Sequence, residues 1–185
     1  FTEEKMRLCT ELGDGCRSLF FFHIPLMEFQ EALDAGVTVG NCGEAICCPE
    51  INSGAFGAMK EMGDVLGVFV GHDHVNDYII NTTLKNAKGE SIDIVNTPGA
   101  TFSSYGNELE RGCRIIDLNE KDPWNYKTQS YTFFDVMGDT EETRALSFVS
   151  DQIGWYYVSF IARIIPFFGE TLQKMFYVAI YNAFK

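Results

Sequence analysis

Two continuous apolar runs of strand length constrain this chain more than any other feature: Ser18-Leu19-Phe20-Phe21-Phe22 and Leu66-Gly67-Val68-Phe69-Val70. A half-buried strand alternates apolar and polar residues. A run that is apolar throughout fits a strand covered on both faces, as in a parallel sheet flanked by helices. Both runs end at histidine. The first delivers His23, followed by Ile24 and Pro25, and a proline disfavours helix at the residue before it, so the chain turns there. The second ends in Gly71-His72-Asp73-His74. All three histidines therefore fall at the carboxyl ends of expected strands, the edge at which open α/β sheets bind ligands.

Helical and extended segments alternate around these runs. Residues 2–12 read as a helix, with Thr2 as cap, Glu3 and Glu4 at its positive end and Gly13 past its close. Glu28 to Ala35 reads as a short helix ended by Gly36, and 36–52 as a long loop bearing glycine and cysteine. A further helix, capped by Ser53, runs to Met62 with Gly63 beyond it. More strands are expected at 77–83, 91–96, 112–118 and 129–136.

The C-terminal zone has a different rhythm. One apolar stripe at helical spacing runs from Ile153 through Tyr157, Ile161 and Ile165 to Phe168. A second, past Pro166 and Gly169, runs from Leu172 through Met175, Phe176 and Ile180 to Phe184. The pattern predicts two amphipathic helices in a hairpin. The chain is thus divided into 1–138, a mixed α/β part, and 139–185, a helical extension. Arg163, Glu170 and Lys174 interrupt any membrane-spanning run. The stripes over 152–185 are expected to pack on the rest of the fold or on another subunit. Contact with a membrane surface is the rival reading, favoured by Trp155 and the tyrosines and disfavoured by the scarcity of basic residues.

Composition narrows the function classes. The 185 residues are the length of one ordinary domain, and 46% hydrophobic with 22% charged residues excludes a disordered or fibrous chain. Lys plus Arg is 14 against 26 Asp plus Glu, a net charge of −12, which argues against a nucleic-acid partner. The chain opens at Phe1 without an initiator methionine or a signal-like apolar region, so a processed or truncated chain is expected. The cysteines Cys9, Cys16, Cys42, Cys47, Cys48 and Cys113 match no zinc ribbon or C-x-x-C motif. Their even count permits three disulfides, free thiols are the equal alternative, and the compartment stays open.

Spacing suggests metal chemistry. In an extended segment, period two would put the imidazoles of His72 and His74 on one side and Asp73 on the other. Gly71 would supply an unusual backbone angle or a close approach. With His23 from a neighbouring strand end, three imidazoles would chelate a borderline metal such as zinc, iron or manganese. Ordinary histidines satisfied by backbone hydrogen bonds are the plainer reading. Asp73, Asn76 and Asp77 carry two open readings: partners that accept an imidazole's other N–H, or loop residues held by Asx hydrogen bonds. Glu28 is read as opening a helix rather than facing the site, Tyr105 as a packed loop aromatic, and Cys47-Cys48 as structural rather than a redox switch.

Several strings carry a family resemblance. Phe22-His23-Ile24-Pro25 with Glu28-Phe29, then Asn52-Ser53-Gly54, then Gly71-His72-Asp73-His74-Val75-Asn76-Asp77 resemble, in order and spacing, the last motifs of the calcineurin-like metallophosphoesterases, in their purple-acid-phosphatase-29-like branch. Gly99 to Asp117, with Tyr105-Gly106 and Glu110-Arg111-Gly112-Cys113-Arg114, is similar to the strand pair that follows, so the resemblance covers about residues 15–118. It implies a four-layer αββα sandwich with two metal ions (iron, zinc or manganese) at its sheet edges. His23 and His72 would ligate one ion and His74 the other. The family's first three motifs have no match here, which implies the C-terminal half of such an enzyme.

The implied activity is hydrolysis of a phosphoric ester, on a phosphorylated small molecule or phosphoprotein, by in-line attack of a metal-activated hydroxide. No catalytic acid is assigned in this chain, because in the family it belongs to a motif that is missing. The chain alone is expected to be weakly active or inactive. A non-catalytic metal-binding or interaction module is the alternative, and a mononuclear zinc hydrolase using His23, His72 and His74 a third.

Overall fold

The computed structural model describes residues 3, 4, 7, 11, 17–36, 38–81, 83–102, 104–153 and 169–184. Among them, β1 (Ser18–Phe21), β2 (Val39–Cys42), β3 (Val65–Val70), β4 (Asn76–Ile80) and β5 (Asp93–Asn96) form one sheet in the order β1-β3-β5-β4-β2. The β1, β3 and β5 strands are parallel, while β4 runs antiparallel to β5 and β2 antiparallel to β4. Helices α1 (Glu28–Asp34) and α2 (Ala55–Met62) contribute Phe29, Ala32, Phe56 and Met59 to the core. These pack with Val68 and Val70 of β3, Tyr78 and Ile80 of β4 and Ile94 of β5. The Phe, Met, Val and Ile side chains among these contribute about 1.5–3 kcal/mol each when fully buried. The arrangement is a mixed α/β one.

Alternation along the strands divides their side chains between two faces. Phe20 and Phe22 pack against the core that holds the helices. On the other face Phe21 stacks on Phe69 with ring centres 5.0 Å apart, and Tyr126 meets Phe69 edge-on at 5.8 Å. Tyr126 comes from β7 (Asp122–Thr132), which pairs with β6 (Gly112–Asn119) as a two-stranded ribbon.

Contacts gather into two compact units: Phe1–Thr97 with Ile116–Gln129, and Pro98–Ile115 with Ser130–Lys185. In the second, β7 gives way to α3 (Phe133–Met137), followed by α4 (Glu141–Ile153) and α5 (Gly169–Phe184). Ala145 and Val149 of α4 bury with Tyr177 of α5. The buried Arg111 guanidinium donates to the carbonyls of Thr101 and Ser104 and lies 5.2 Å from the Phe102 ring centre. No helix among the described residues is long and apolar enough to cross a membrane.

Several expectations need correction. Among the described residues the β1 strand is an edge and is not covered on both faces: Phe21 is 61% exposed. The loop expected over 36–52 contains β2, whose Val-Gly-Asn-Cys sequence has no strand period. Pairing with β4 imposes that strand, and Gly40, at φ 94°, lets the Asp77 carbonyl approach more closely than a Cβ would allow. The residue at the start of α2 is Gly54, left-handed, while Ser53 Oγ accepts the Ala55 N–H at 3.4 Å; Gly63 closes the helix as expected. The strand expected at 129–136 lies earlier and stops at Thr132. There the Thr132–Asp135 capping box starts α3 despite its aromatic residues. In α5 the stripe residues Met175, Phe176 and Phe184 are exposed, and Tyr177 is buried. Most of the 2–12 helix and the stripe over 154–168 lie outside the described residues.

Candidate functional site

Parallel pairing fixes the register at the carboxyl ends of β1 and β3. Phe21 pairs with Phe69, the Phe22 N–H donates to the Phe69 carbonyl at 3.2 Å, and the Gly71 N–H donates to the His23 carbonyl at 3.1 Å. His23 and His72 are thereby brought to one sheet edge, their ring centres 5.2 Å apart and planes inclined by 59°. The unusual backbone angle falls on His72, with φ 72°, and not on Gly71. A left-handed residue with a Cβ costs on the order of 1 kcal/mol, so the turn around it must hold it there.

That turn is heavily fastened. The Asp73 N–H donates to the Gly71 carbonyl at 2.9 Å and the Asn76 N–H to the Asp73 carbonyl at 3.2 Å. The segment is therefore not extended, and the expected period-two placement of His72 and His74, with Asp73 opposite, does not form. Asp73, 1% exposed, has its Oδ1 3.0 Å from His72 Nδ1. Its two carboxylate oxygens also accept the Cys47 N–H at 3.3 and 3.2 Å. Asn76 is fully buried, and its Oδ1 accepts the N–H groups of Gly43 and Glu44, both at 2.9 Å. The Glu44 carboxylate accepts the Val75 N–H at 2.9 Å in return. So the 43–48 loop and the 72–76 turn are tied to each other by side chains of Asp73, Asn76 and Glu44.

Asp73 thus lies against both an imidazole and the amide of Cys47, a long-range bond rather than a local Asx turn. Asn76 holds a loop, and Asp77 lies on β4 opposite Asn41. Glu28 opens α1 and accepts from Asn52 Nδ2 at 2.8 Å, while Asn52 Oδ1 takes the Gly54 N–H at 2.7 Å. Tyr105 is exposed rather than packed. Cys42, Cys47, Cys48 and Cys113 are free thiols, and Cys9 and Cys16 lie outside the described residues.

Sequence reasoning missed the support from β5. The Thr97 N–H and Oγ1 both donate to the Val70 carbonyl, at 2.9 and 2.8 Å, and the Asn96 side chain lies against the Gly71 carbonyl at 3.5 Å. An Asn-Thr pair just before Pro98 was the available signal. Burial pushes the Tyr78 phenol well up, with Cys42 and Asp73 adding to the shift and Asn96 opposing it. Burial likewise raises the Cys42 thiol, against a hydrogen bond to the Glu44 carbonyl.

The donor set can be tested against a metal ion. Two imidazoles bound at ~2.0–2.1 Å to one tetrahedral ion have ring centres about 5 Å apart. The His23–His72 separation fits that spacing. With Nδ1 of His72 facing a carboxylate, its Nε2 is the nitrogen left to bind. Yet no three His, Cys, Asp or Glu side chains among the described residues converge as a metal ion requires, so His74 does not join the pair. The residues present fit part of a metal site and not a whole one.

A mixed α/β sheet with paired imidazoles at a parallel strand edge, followed by a Gly-His-Asp-His turn, is compatible with a partial purple-acid-phosphatase-like, calcineurin-like segment. Three curated Arabidopsis thaliana proteins are similar to this chain. "Probable inactive purple acid phosphatase 14" is 39% identical over 100 residues, which is 54% of this chain and 23% of that protein. "Probable inactive purple acid phosphatase 29" is 36% identical over 106 residues, 56% of this chain and 25% of its own length. "Probable inactive purple acid phosphatase 28" is 41% identical over 111 residues, 58% of this chain and 26% of its own. The match thus spans about a quarter of each relative. No family model matches the chain, and no solved structure does.

Proposed function

We propose that the complete protein to which this chain contributes is a metal-dependent phosphoric ester hydrolase. His23 and His72 would hold one ion and His74 a second, on a four-layer αββα scaffold. The observation that carries this reading is the His23–His72 pair, 5.2 Å apart at the carboxyl ends of two parallel strands. Similarity to three purple-acid-phosphatase-like proteins gives that pair a chemical context. Bound divalent ions would supply Lewis acidity and a water that ionises near neutral pH.

The chain's own residues do the positioning. Asp73, accepting the His72 Nδ1–H, selects the tautomer and fixes the ring plane. Asn76 and Glu44 keep the left-handed His72 turn from relaxing. The net charge of −12 does not bar an anionic substrate, because bound dications would dominate the local field.

A second reading, a non-catalytic metal-binding or interaction module, draws on two observations. The relatives' names contain "probable inactive", and the donor set is partial among the described residues. Metal content and p-nitrophenyl phosphate turnover, measured on this chain and on a longer polypeptide restoring the upstream motifs, separate the two. The hydrolase reading expects turnover in the longer form and little or none in this chain. A metal-loaded longer form without turnover on any phosphoric ester would leave the binding module.

A further inference from the structure

Three buried polar atoms gather beneath the turn that carries His72. On β4, Asn76 and Tyr78 are two residues apart and so share one face of the sheet. Asn96 of β5 pairs with Tyr78 and lies on that same face, diagonal to Asn76. Directly opposite residues have Cβ atoms about 4.5–5.5 Å apart and diagonal ones about 7–8 Å, a span that one small bridging molecule can close. All three residues are 0% exposed, yet Asn76 Nδ2, Tyr78 Oη and Asn96 Oδ1 make no hydrogen bond among the described residues. Burial raises the Tyr78 phenol most, Cys42 and Asp73 add to that and Asn96 opposes it, so these three lie around the hydroxyl. Asn96 is therefore near the phenol and still not bonded to it. Neither amide can turn over to relieve the mismatch. Asn76 Oδ1 is committed to the Gly43 and Glu44 N–H groups, which leaves Nδ2 to donate elsewhere. Asn96 Nδ2 faces the Gly71 carbonyl, which leaves Oδ1 in need of a donor. Buried groups of this kind are costly unless something pairs them.

We propose that Asn76, Tyr78 and Asn96 together hold one buried water molecule. The donor and acceptor set selects this occupant: Asn76 offers a proton, Asn96 a lone pair, and the Tyr78 hydroxyl either. A metal cation would meet the Asn76 N–H, and an anion would meet the Asn96 oxygen with the Asp73 carboxylate close by. Water accepts from Asn76 Nδ2, donates to Asn96 Oδ1, and bonds Tyr78 Oη with its remaining proton or lone pair. Three such bonds are what an internal water ordinarily makes. The water closes a chain that runs from the Gly71 carbonyl through Asn96 and Asn76 to the Gly43 and Glu44 amides. It thereby braces the His72 turn from below, and Tyr78 becomes a positioning residue for that turn. The positioning of a metal ligand rests on the hydrolase reading; the water site does not.

The test reads the water directly, in a crystal of this chain and by magnetisation transfer from water to the Asn76 side-chain amide protons in solution. The expected result is an ordered water about 2.7–3.2 Å from all three atoms, with a transfer peak of the sign that a long-lived water gives. Asn96→Leu removes the acceptor and should abolish the peak. Tyr78→Phe keeps the ring, removes one of the three partners, and should weaken the peak by about half with wild-type circular dichroism. That second variant decides the matter if the first fails to fold. A direct bond between Tyr78 Oη and Asn96 Oδ1, with no water beside Asn76, would overturn the proposal. So would a metal ion or an anion in the site, or an undiminished peak in Tyr78→Phe. Zinc titration separates the two claims. Tyr78→Phe should bind zinc about threefold more weakly, less than the loss of about tenfold or more when a group touching the ligand is removed. A bound water in a chain that takes up no zinc would count against the hydrolase reading and leave the water site standing. Zinc uptake with no water in the site would do the reverse.

Discussion

The β3 strand lies between β1 and β5 with Val68, Phe69 and Val70 all buried, and the turn after it is tied by Asp73 and Asn76 to the 43–48 loop. Among the described residues the β1 strand has one neighbour, Phe21 stands largely in solvent, and His23 beyond it is exposed. So the two imidazoles that approach each other are held very differently. One sits on a left-handed residue whose ring lies against a buried carboxylate, and the other is an exposed side chain whose carbonyl takes the Gly71 N–H.

Four expected outcomes bear on that contrast. The largest is in packing. Phe69 and Phe21 stack on each other, yet Phe69→Ala should cost about 3–5 kcal/mol and Phe21→Ala less than about 1 kcal/mol in urea unfolding. Equal costs would mean that β1 is covered after all. Next, Asp73→Ala should destabilise by about 2 kcal/mol, because it strands the Cys47 N–H and releases the His72 ring. His23→Ala, at the open end, should leave stability within about 0.5 kcal/mol of wild type in the same assay.

The third concerns pH. Burial raises the Asp93 carboxyl above its ordinary range, while the Tyr126 hydroxyl, donating to it, pulls the other way. A raised pKa means the folded state holds its proton longer than the unfolded one. Stability should therefore fall as pH rises through the window between the ordinary and the shifted value. Tyr126→Phe removes the opposing hydrogen bond, so carboxyl titration by NMR should move further up and the window should widen. A downward move would contradict the assignment.

The smallest effect is at the Arg17–Glu90 ion pair. Arg17, first, and Asn86 hold the Glu90 carboxyl down to about 2. Its contribution should be present above the ordinary 4.5 and be lost as pH falls toward about 2. Glu90 is partly exposed, so salt should screen most of this. Thermal unfolding followed down through that range should show a small drop that Glu90→Gln abolishes.

Local chemistry made much of the fold legible. The Glu28 helix, the Gly63 stop and the Leu66–Val70 run appear within one or two residues of where spacing puts them. Burial was less legible, because it depends on neighbours that the run itself does not name. The two apolar runs look alike, yet among the described residues one is central and the other an edge. The β2 strand had no signal of its own, since its pairing with β4 and the freedom of Gly40 create it. At the site, the approach of His23 to His72 followed from two strand ends in one parallel sheet. The left-handed His72 did not follow, because its turn is held by bonds from Asp73, Val75 and Asn76 to the 43–48 loop, which is distant in sequence.

The most direct test of the central claim is calorimetric titration of zinc into this chain, with His23→Ala and His72→Ala alongside. The account predicts weak binding of a single ion by the wild type, lost in either variant while circular dichroism is unchanged. Wild-type zinc binding that survives in both variants would contradict it, because the ion would then be held somewhere other than between these two rings.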